Sequence, residues 1–162
     1  MARRKIQPPN QLVEILEDAR AKGKTVVTTN GCFDVLHLGH LRYLRAAREL
    51  GDLLVVGVNS DTSVHALKGQ NRPLVPEDER AELLAGLECV DYVTIFSERD
   101  PITLLSQLKP DIHVKGGDYR IDEIIEREAV ETNGGKIVVG LNVPGKSTTN
   151  LIQTIRDRYS AE

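Results

Sequence analysis

The sequence has few cysteines, no long apolar run and no excess of positive charge. Its two cysteines, Cys32 and Cys89, lie far apart and lack the spacing of metal ligands, which excludes a disulfide framework and a cysteine-based zinc site. No apolar run approaches the roughly 18 residues of a membrane span, and no apolar segment follows the basic N-terminus as it would in a signal peptide. We therefore expect a cytoplasmic protein with reduced thiols and no membrane partner.

The charge and the length of the chain favour one globular domain. The formal net charge is −3, so no global positive field favours nucleic acid as a partner. The short basic cluster in residues 1–5 is typical of a solvated terminus. The 162 residues suffice for one buried core, and 40% hydrophobic residues is an ordinary content. We expect a single domain over residues 1–162, with residues 1–23 as a helical extension packed on it.

Strand-like and helical patterns alternate along the chain. The predicted strands are 24–29, 52–59, 92–96, 111–115 and 136–140, and the predicted helices are 11–22, 38–50, 76–86, 100–108, 121–132 and 147–159, with a polar stretch at 60–74. This alternation predicts an α/β fold with a doubly wound, five-stranded parallel sheet. Ligands in such folds bind at the carboxyl ends of the strands, near the switch in strand order.

Two histidines at the start of a helix are the most informative feature. His37 and His40 are separated by three positions, so they share one helix face, and they follow the first predicted strand. The N-terminus of a helix carries free N–H groups and attracts phosphate. Gly39 lies between the histidines and lets a bulky ligand approach the backbone. The pattern indicates chemistry on a phosphate, and the alternatives are a partial zinc site or a structural histidine pair.

A second motif favours a different function. Gly140–Ser147 matches the Walker pattern G-x-x-x-x-G-K-[ST] and lies between a strand and a helix, as in P-loop ATPases and kinases. Only 15 residues follow Ser147, too few for the rest of a P-loop sheet, and Pro144 removes one N–H from the loop. A phosphate contact through Ser147, Thr148 and the helix N-terminus is still expected.

Four charged residues allow more than one interpretation. Lys68, in a polar loop, is either a flexible cation for anionic oxygens or an ordinary surface lysine. Arg80 could simply pair with the acids at 77–79. Asp34 follows the first strand and could orient a histidine or hold a metal, and Asp61 could be only a helix N-cap.

Residues 31–40 resemble the nucleotidyltransferase signature of the cytidylyltransferase-like superfamily. Within it, the chain looks most like the adenylyltransferases that make ADP-heptose for lipopolysaccharide, because of the more discriminating segments Lys115–Tyr119 and Ser147–Asn150. The resemblance extends from Lys24 to Arg156 and implies a Rossmann-like nucleotidyltransferase fold and a homodimer. Such enzymes are often the C-terminal half of a bifunctional heptose kinase/adenylyltransferase. Here we expect a separate sugar kinase and phosphatase upstream.

The resemblance also implies a mechanism and a set of residues. A sugar 1-phosphate, heptose 1-phosphate in the first instance, attacks the α-phosphate of ATP in line. Mg²⁺ is carried by the nucleotide phosphates, without a dedicated protein site. The implied catalytic residues are His37, His40 and Lys68. The implied nucleotide-binding residues are Asn30, Gly31, Cys32, Phe33, Gly39, Lys115, Gly116, Asp118, Ser147 and Thr148, and the further candidates are Asp34, Asn59, Asp61, Arg80 and Lys146.

One departure leaves the substrates open. Related glycerol-phosphate cytidylyltransferases carry an arginine shortly before the Ser-Thr pair, where this chain has Asn142, and Lys146 is the candidate to replace it. The alternative function is therefore a cytidylyltransferase acting on glycerol 3-phosphate or a similar alcohol phosphate. A P-loop ATPase or kinase and a nucleotide-binding regulatory module without turnover are the remaining alternatives.

Overall fold

Five parallel strands form the centre of the molecule. The structure is a computed structural model that describes residues 2–117, 119–140 and 145–160. Within these residues the strands are β1 Val26–Gly31, β2 Leu53–Asn59, β3 Tyr92–Phe96, β4 Ile112–Lys115 and β5 Lys136–Val139. They lie in the order β3-β2-β1-β4-β5, and every pair is parallel. The predicted α/β class and the five-stranded parallel sheet are confirmed.

Helices and 3-10 turns connect these strands. The helices are α1 Pro9–Ala21, α2 Leu38–Arg48, α3 Asp61–Lys68, α4 Glu77–Ala85, α5 Ile102–Leu108, α6 Arg127–Glu131 and α7 Thr148–Tyr159, and the 3-10 turns are Ala2–Lys5 and Ile121–Glu123. None of the helices in the described ranges is long and apolar enough to cross a membrane.

Two segments differ from the prediction. The stretch 60–74 contains α3, whose N-cap is Ser60, with its hydroxyl accepting a hydrogen bond from the Ser63 N–H at 3.2 Å. The prediction missed this helix because only Val64, Ala66 and Leu67 of its eight residues are apolar. The predicted helix 121–132 is interrupted at Ile124, whose backbone is extended. Residues two positions apart lie on different faces of a helix, so a continuous helix would not bury both Ile124 and Glu126. The interrupted segment buries both.

The sheet is covered on both faces. Leu12 and Leu16 of α1 pack with Leu104 and Leu108 of α5 on one face. The other face carries α2 and α4, through buried side chains that include Leu44 and Leu84. The continuous apolar runs of β1 and β2 are buried because helices cover both of their faces.

The sequence suggested that the basic N-terminus is simply solvated, but the structure shows that it packs on the domain. The Lys5 ammonium donates to the carbonyls of Leu87 and Val90 at 3.2 and 2.7 Å. Ile6 forms a parallel bridge with Val93 of the edge strand β3. The segment therefore covers the open edge of the sheet, where unpaired backbone groups need a partner.

Strand order determines where a ligand binds. β1 pairs with β2 on one side and with β4 on the other: the chain adds β2 and β3 on one side of β1 and then returns to add β4 and β5 on the other, so the strand order switches at β1. The carboxyl ends of β1, β2 and β4 lie at the same edge, and a crevice opens there.

Candidate active site

A cavity of about 690 Å³ occupies the crevice at the carboxyl ends of the strands. It is lined by most of the residues predicted for the site: Asn30, Gly31, Cys32, Phe33, Asp34, His37, Gly39, His40, Asn59, Lys68, Lys115, Gly116, Lys146, Ser147 and Thr148. Asp61 and Arg80 are not among its lining residues, and Asp118 and Asn142 lie outside the described residues. Loops far apart in sequence therefore meet at one site.

His37 and His40 stack on each other at the start of α2. Their ring centroids are 3.9 Å apart, and His37 is the N-cap of the helix. The His37 ring Nδ1 accepts from the Gly39 N–H at 3.1 Å, and the His40 Nδ1 accepts from the His37 N–H at 3.4 Å. Because each Nδ1 is an acceptor, the proton of each neutral ring resides on Nε2. Each histidine thus keeps one N–H donor for a ligand.

Burial keeps both imidazoles neutral. Burial, together with a smaller contribution from the neighbouring His37, lowers the pKa of His40 to about 4. Burial also lowers the pKa of His37, with a contribution from the Lys146 ammonium. At neutral pH the two rings are therefore hydrogen-bond donors rather than acids.

These pKa shifts predict how stability depends on pH. In the unfolded chain His40 takes up a proton near its ordinary pKa of 6.5, but in the folded chain it does so only near 4. Between pH 6.5 and 4 the unfolded state therefore binds more protons than the folded state. The contribution of His40 to the free energy of unfolding is fully present above about pH 6.5 and is lost as the pH falls toward 4. Urea unfolding at several pH values checks this fall.

The variant His40→Asn isolates the contribution of His40. The amide keeps an oxygen acceptor for the His37 N–H but does not titrate. Burial also lowers the pKa values of His37 and His113, so the wild-type slope contains contributions from all three histidines. We expect a shallower slope between pH 6.5 and 4.5 in His40→Asn, and an unchanged slope would contradict the assignment.

Gly39 is required by close packing around the histidines. A Cβ at this position would lie 2.8 Å from the His37 ring and 2.8 Å from the Lys146 Cβ. The variant Gly39→Ala is expected to displace the His37 ring and lower kcat about tenfold or more, because small misplacements of catalytic groups are costly. Steady-state kinetics measures the loss. Gly86→Ala is the control, since its Cβ meets no atom nearer than 3.3 Å and Gly86 has a negative φ, and equal kinetics for the two variants would contradict the packing argument.

Asp34 holds a loop rather than a histidine. Its carboxylate accepts from the Arg72 guanidinium, from the Leu74 N–H at 2.8 Å and from the Val75 N–H at 2.9 Å. Burial raises the pKa of Asp34, but these hydrogen bonds outweigh burial and hold the pKa below its ordinary value. Among the described residues the Asp34 carboxylate therefore bonds to this loop and not to a histidine. Its function is to fix the loop that carries Arg72 at the cavity wall.

Arg80 is fully buried beneath the cavity and joins three loops. Its guanidinium donates to the carbonyls of Cys32 at 2.5 Å, Asn59 at 2.9 Å and Val75 at 2.9 Å, and to the Asp61 carboxylate at 2.7 Å. The expected pairing with the acids at 77–79 is therefore wrong. Asp61 is a partner of Arg80 rather than an N-cap, since Ser60 caps α3.

Tyr43, which the sequence did not indicate, supports the side of the cavity next to β4. The Tyr43 hydroxyl donates to the Val114 carbonyl at 3.0 Å and lies 2.6 Å from the Thr29 hydroxyl. Burial raises the pKa of Tyr43 to about 12. A Cβ on Gly116 would touch the Tyr43 ring at 3.2 Å, so the backbone after β4 packs directly on this ring. Tyr43 is one helical turn after His40, a spacing that could have identified it.

Other lining residues were also missed. Arg72, Arg99, Tyr119 and Glu126 line the cavity but were not predicted as site residues. Tyr119 belongs to the family segment Lys115–Tyr119, whereas Arg72, Arg99 and Glu126 are single charges in ordinary polar contexts and give no sequence signal.

Cations surround the middle of the cavity. Burial raises the pKa of the Cys32 thiol, and the nearby charges of Lys68, Arg80 and Arg72 oppose that rise. Lys146 lies close enough to affect His37. Anionic oxygens therefore meet a positive field and two neutral donors at this point.

The start of α7 completes the site. The Ser147 hydroxyl accepts from the Asn150 N–H at 3.0 Å, and the Thr148 hydroxyl donates to the Val35 carbonyl at 3.3 Å. The first turn of any helix presents backbone N–H groups without intrahelical partners, which suits a phosphate. Residues 141–144 of the Walker-type match lie outside the described residues.

Acidic side chains do not converge into a metal cage in the described part of the chain, where no group of three or more His, Cys, Asp or Glu side chains has suitable geometry. The Asp100 carboxylate lines the cavity and accepts from the Ile102 N–H at 3.0 Å.

Curated proteins and a family model match nearly the whole chain. A family model described as cytidylyltransferase-like matches residues 28–157. The chain is 53% identical over 155 residues to the bifunctional protein HldE of Syntrophotalea carbinolica and 50% identical over 149 residues to that of Pseudomonas aeruginosa. These alignments cover 96% and 91% of this chain but 32% and 31% of the relatives. The chain thus spans about a third of the length of the curated relatives it matches.

Solved structures share the fold. A lipopolysaccharide core biosynthesis protein from Thermoplasma volcanium matches with a TM-score of 0.61 and 34% identity, over 72% of this chain and 94% of that one. A pantoate-β-alanine ligase from Francisella tularensis, complexed with β-γ ATP and β-alanine, matches with a TM-score of 0.55 over 83% of this chain and 66% of that one. The second match, at 16% identity, supports the fold alone.

Proposed function

The chain belongs to the cytidylyltransferase-like family and is a nucleotidyltransferase, and on this premise we propose that it is an adenylyltransferase that joins ATP and a sugar 1-phosphate. The products are an ADP-sugar and pyrophosphate, and heptose 1-phosphate is the proposed sugar substrate. Support comes from the motif resemblance to ADP-heptose-forming enzymes and from the similarity to a lipopolysaccharide core biosynthesis protein.

The pair of neutral histidines is the observation that carries the proposal. In this reaction an oxygen of the sugar phosphate bonds to the α-phosphorus of ATP, and the bond from that phosphorus to the bridging oxygen of pyrophosphate breaks. A phosphate monoester is already largely ionised at pH 7, so no base is needed. Two Nε2–H donors from His37 and His40 suit the charge that builds on the phosphate oxygens.

The remaining groups would position the substrates. Lys68 would bridge the sugar phosphate and the triphosphate, and the start of α7, with Lys146, Ser147 and Thr148, would hold the β- and γ-phosphates. The loop after β1 would line the nucleotide pocket, and Lys115 and Gly116 would face the nucleoside. Mg²⁺ would enter with ATP on its phosphate oxygens, where it neutralises charge on the departing pyrophosphate.

We propose the following setting for the reaction. ATP and sugar phosphates are cytoplasmic metabolites, and the sugar 1-phosphate requires kinase and phosphatase reactions upstream. A homodimer is proposed as well, supported by the exposed apolar side chains Leu151, Ile155 and Tyr159 along α7. Residues 1–162 are proposed to be one domain, since Leu12 and Leu16 of the N-terminal extension are fully buried in the core.

A panel of nucleotides and phosphorylated substrates tests the proposal. ATP, CTP, GTP and UTP are each combined with Mg²⁺ and with heptose 1-phosphate, glucose 1-phosphate or glycerol 3-phosphate, and pyrophosphate release is recorded. The expected result is fastest release from ATP with heptose 1-phosphate. Fastest release from CTP with glycerol 3-phosphate would instead establish the cytidylyltransferase alternative. Release of ADP would indicate a kinase or ATPase, and nucleotide binding without turnover would indicate a regulatory module.

A further inference from the structure

The cavity wall beside β4 carries a charge that is already neutralised. We define the β4 wall as Tyr43, Lys115, Tyr119, Ile125 and Glu126, all of which line the cavity. The Lys115 ammonium donates to the Glu126 carboxylate at 2.5 Å. By contrast, Lys68 and Arg99 on the opposite side of the cavity enter no ion pair within the part of the chain that the structure describes. The two sides therefore offer different chemistry to a ligand.

Glu126 is unusually well buried for a carboxylate in a cavity wall. Its side chain is 1% exposed, whereas that of Lys115 is 21% exposed. Its carboxylate also lies 3.6 Å from the Nε2 of His113, a fully buried ring whose Nδ1 is 2.8 Å from the Thr28 hydroxyl. Glu126 thus ends a polar chain that runs from the interior of the sheet to the cavity.

The carboxylate stays ionised throughout the working range of pH. Burial raises the pKa of Glu126, but the hydrogen bond from the Lys115 ammonium and the nearby His113 ring outweigh burial and bring the pKa to about 2. Burial dominates at His113 and lowers its pKa, so this ring is neutral. One ammonium and one carboxylate therefore form the only charged pair on the β4 wall among the described residues, and its net charge is zero.

A neutral wall with N–H donors and rings suits a nucleoside better than a phosphate. Lys115 has two N–H groups beyond the one given to Glu126, and its ammonium lies 5.6 Å from the centre of the Tyr119 ring. Tyr119 and Ile125 add exposed flat and apolar surface. Base and ribose are neutral, apolar on their faces and rich in acceptors, whereas phosphates favour the unpaired cations elsewhere in the cavity.

We propose that Glu126 is a positioning residue for the nucleoside: it holds Lys115 in place and neutralises its charge, so that Lys115 donates to the base or ribose rather than to a phosphate. This inference rests on the proposed function, because it takes the nucleotide as the occupant of the cavity.

The test measures binding of the nucleoside and of the phosphates separately. Calorimetry measures the affinities of the wild-type chain and of Glu126→Gln for adenosine and, separately, for inorganic pyrophosphate. We expect adenosine affinity to fall about tenfold, since a hydrogen bond from a positioned charged donor is lost. Pyrophosphate affinity should stay unchanged or rise, because the Lys115 charge is no longer neutralised. In turnover, KM for ATP should rise by a similar factor while kcat changes less than about threefold.

Two further variants control this experiment. Glu131→Gln removes an exposed carboxylate that pairs with Arg127 on the same helix, and it should leave both affinities unchanged. In a Lys115→Met background, Glu126→Gln should cause no further loss of adenosine affinity, because Glu126 acts through Lys115. This double variant lacks both charges of the pair and leaves neither unpaired, so it also serves if Glu126→Gln alone fails to fold.

Three results would overturn the inference. They are unchanged adenosine affinity in Glu126→Gln, an equal loss of adenosine and pyrophosphate affinity, and a wild-type chain that binds pyrophosphate but no adenosine. All three are read without turnover. A failure of the proposed function appears separately, as absence of pyrophosphate release from the wild-type chain with ATP and sugar phosphates.

Discussion

Replacing His40 with alanine is expected to lower kcat by about 10²- to 10³-fold, the scale measured when one positioned transition-state donor is removed. The His40 ring is neutral, its Nδ1 already accepts from the His37 N–H, and its Nε2–H is the donor left for the substrate. The loss should appear in kcat and in kcat/KM together, because the interaction strengthens as charge builds on the phosphate oxygens. Pyrophosphate release under saturating substrates measures it.

Two amide variants separate the donor from the helix cap. His40→Asn keeps an acceptor near the position of Nδ1 but has no donor near Nε2, so it should be stable and nearly as slow as His40→Ala. His40→Gln can place its amide N–H near the position of Nε2 and should recover part of the rate. A His40→Ala variant that loses less than about threefold in kcat would contradict a donor role on the scale given above.

Replacing Arg80 with methionine is expected to lower the free energy of unfolding by about 3 kcal/mol or more, because three carbonyls lose their donor at about 1–3 kcal/mol each, whereas the Asp61 carboxylate is 38% exposed and adds little. The fully buried guanidinium donates to three carbonyls and to Asp61, and these acceptors keep no equivalent partner in the variant. Because the Cys32 and Asn59 carbonyls belong to the cavity loops, activity should fall with stability. Urea unfolding and steady-state kinetics measure the two losses.

An exposed arginine provides the matched control for Arg80. Arg3 pairs with Glu82 at 3.3 Å on the surface, and Arg3→Met should change the free energy of unfolding by less than about 1 kcal/mol. Arg80→Lys keeps the charge but not the planar fork that reaches several acceptors, so it should be destabilised as well. Similar stabilities for Arg80→Met and Arg3→Met would show that the buried network does not hold the loops together.

Much of the fold followed from local pattern. The segments that form β2 and β3 are mainly apolar and are flanked by polar residues, so their bounds were predicted closely. α3 was missed because its helical tendency depends on one buried face, to which Ser63 and Val64 contribute, in a polar sequence. The helix predicted over 121–132 was wrong in its middle because burial of Ile124 and Glu126 outweighed local propensity.

The part of the site that could be predicted is the part whose functional residues lie within one short segment. The stretch around His37 and His40 combines a strand, a glycine and a helix start, so its phosphate chemistry is visible in sequence. The pairs Asp34–Arg72 and Arg80–Cys32 join residues 38 and 48 positions apart, and nothing in the local pattern indicates them. Glu126 appeared as an ordinary helix acid until the interrupted helix placed it beside Lys115.

The fate of the α-phosphorus is the most direct test of the central claim, that the histidine pair serves attack at this atom. The purified chain is supplied with Mg²⁺, heptose 1-phosphate and ATP labelled at the α-phosphorus, and the products are separated by chromatography. We predict that the label moves into a nucleotide sugar, with unlabelled pyrophosphate formed in equal amount. Label recovered in ADP would show attack at the γ-phosphate and would contradict the account.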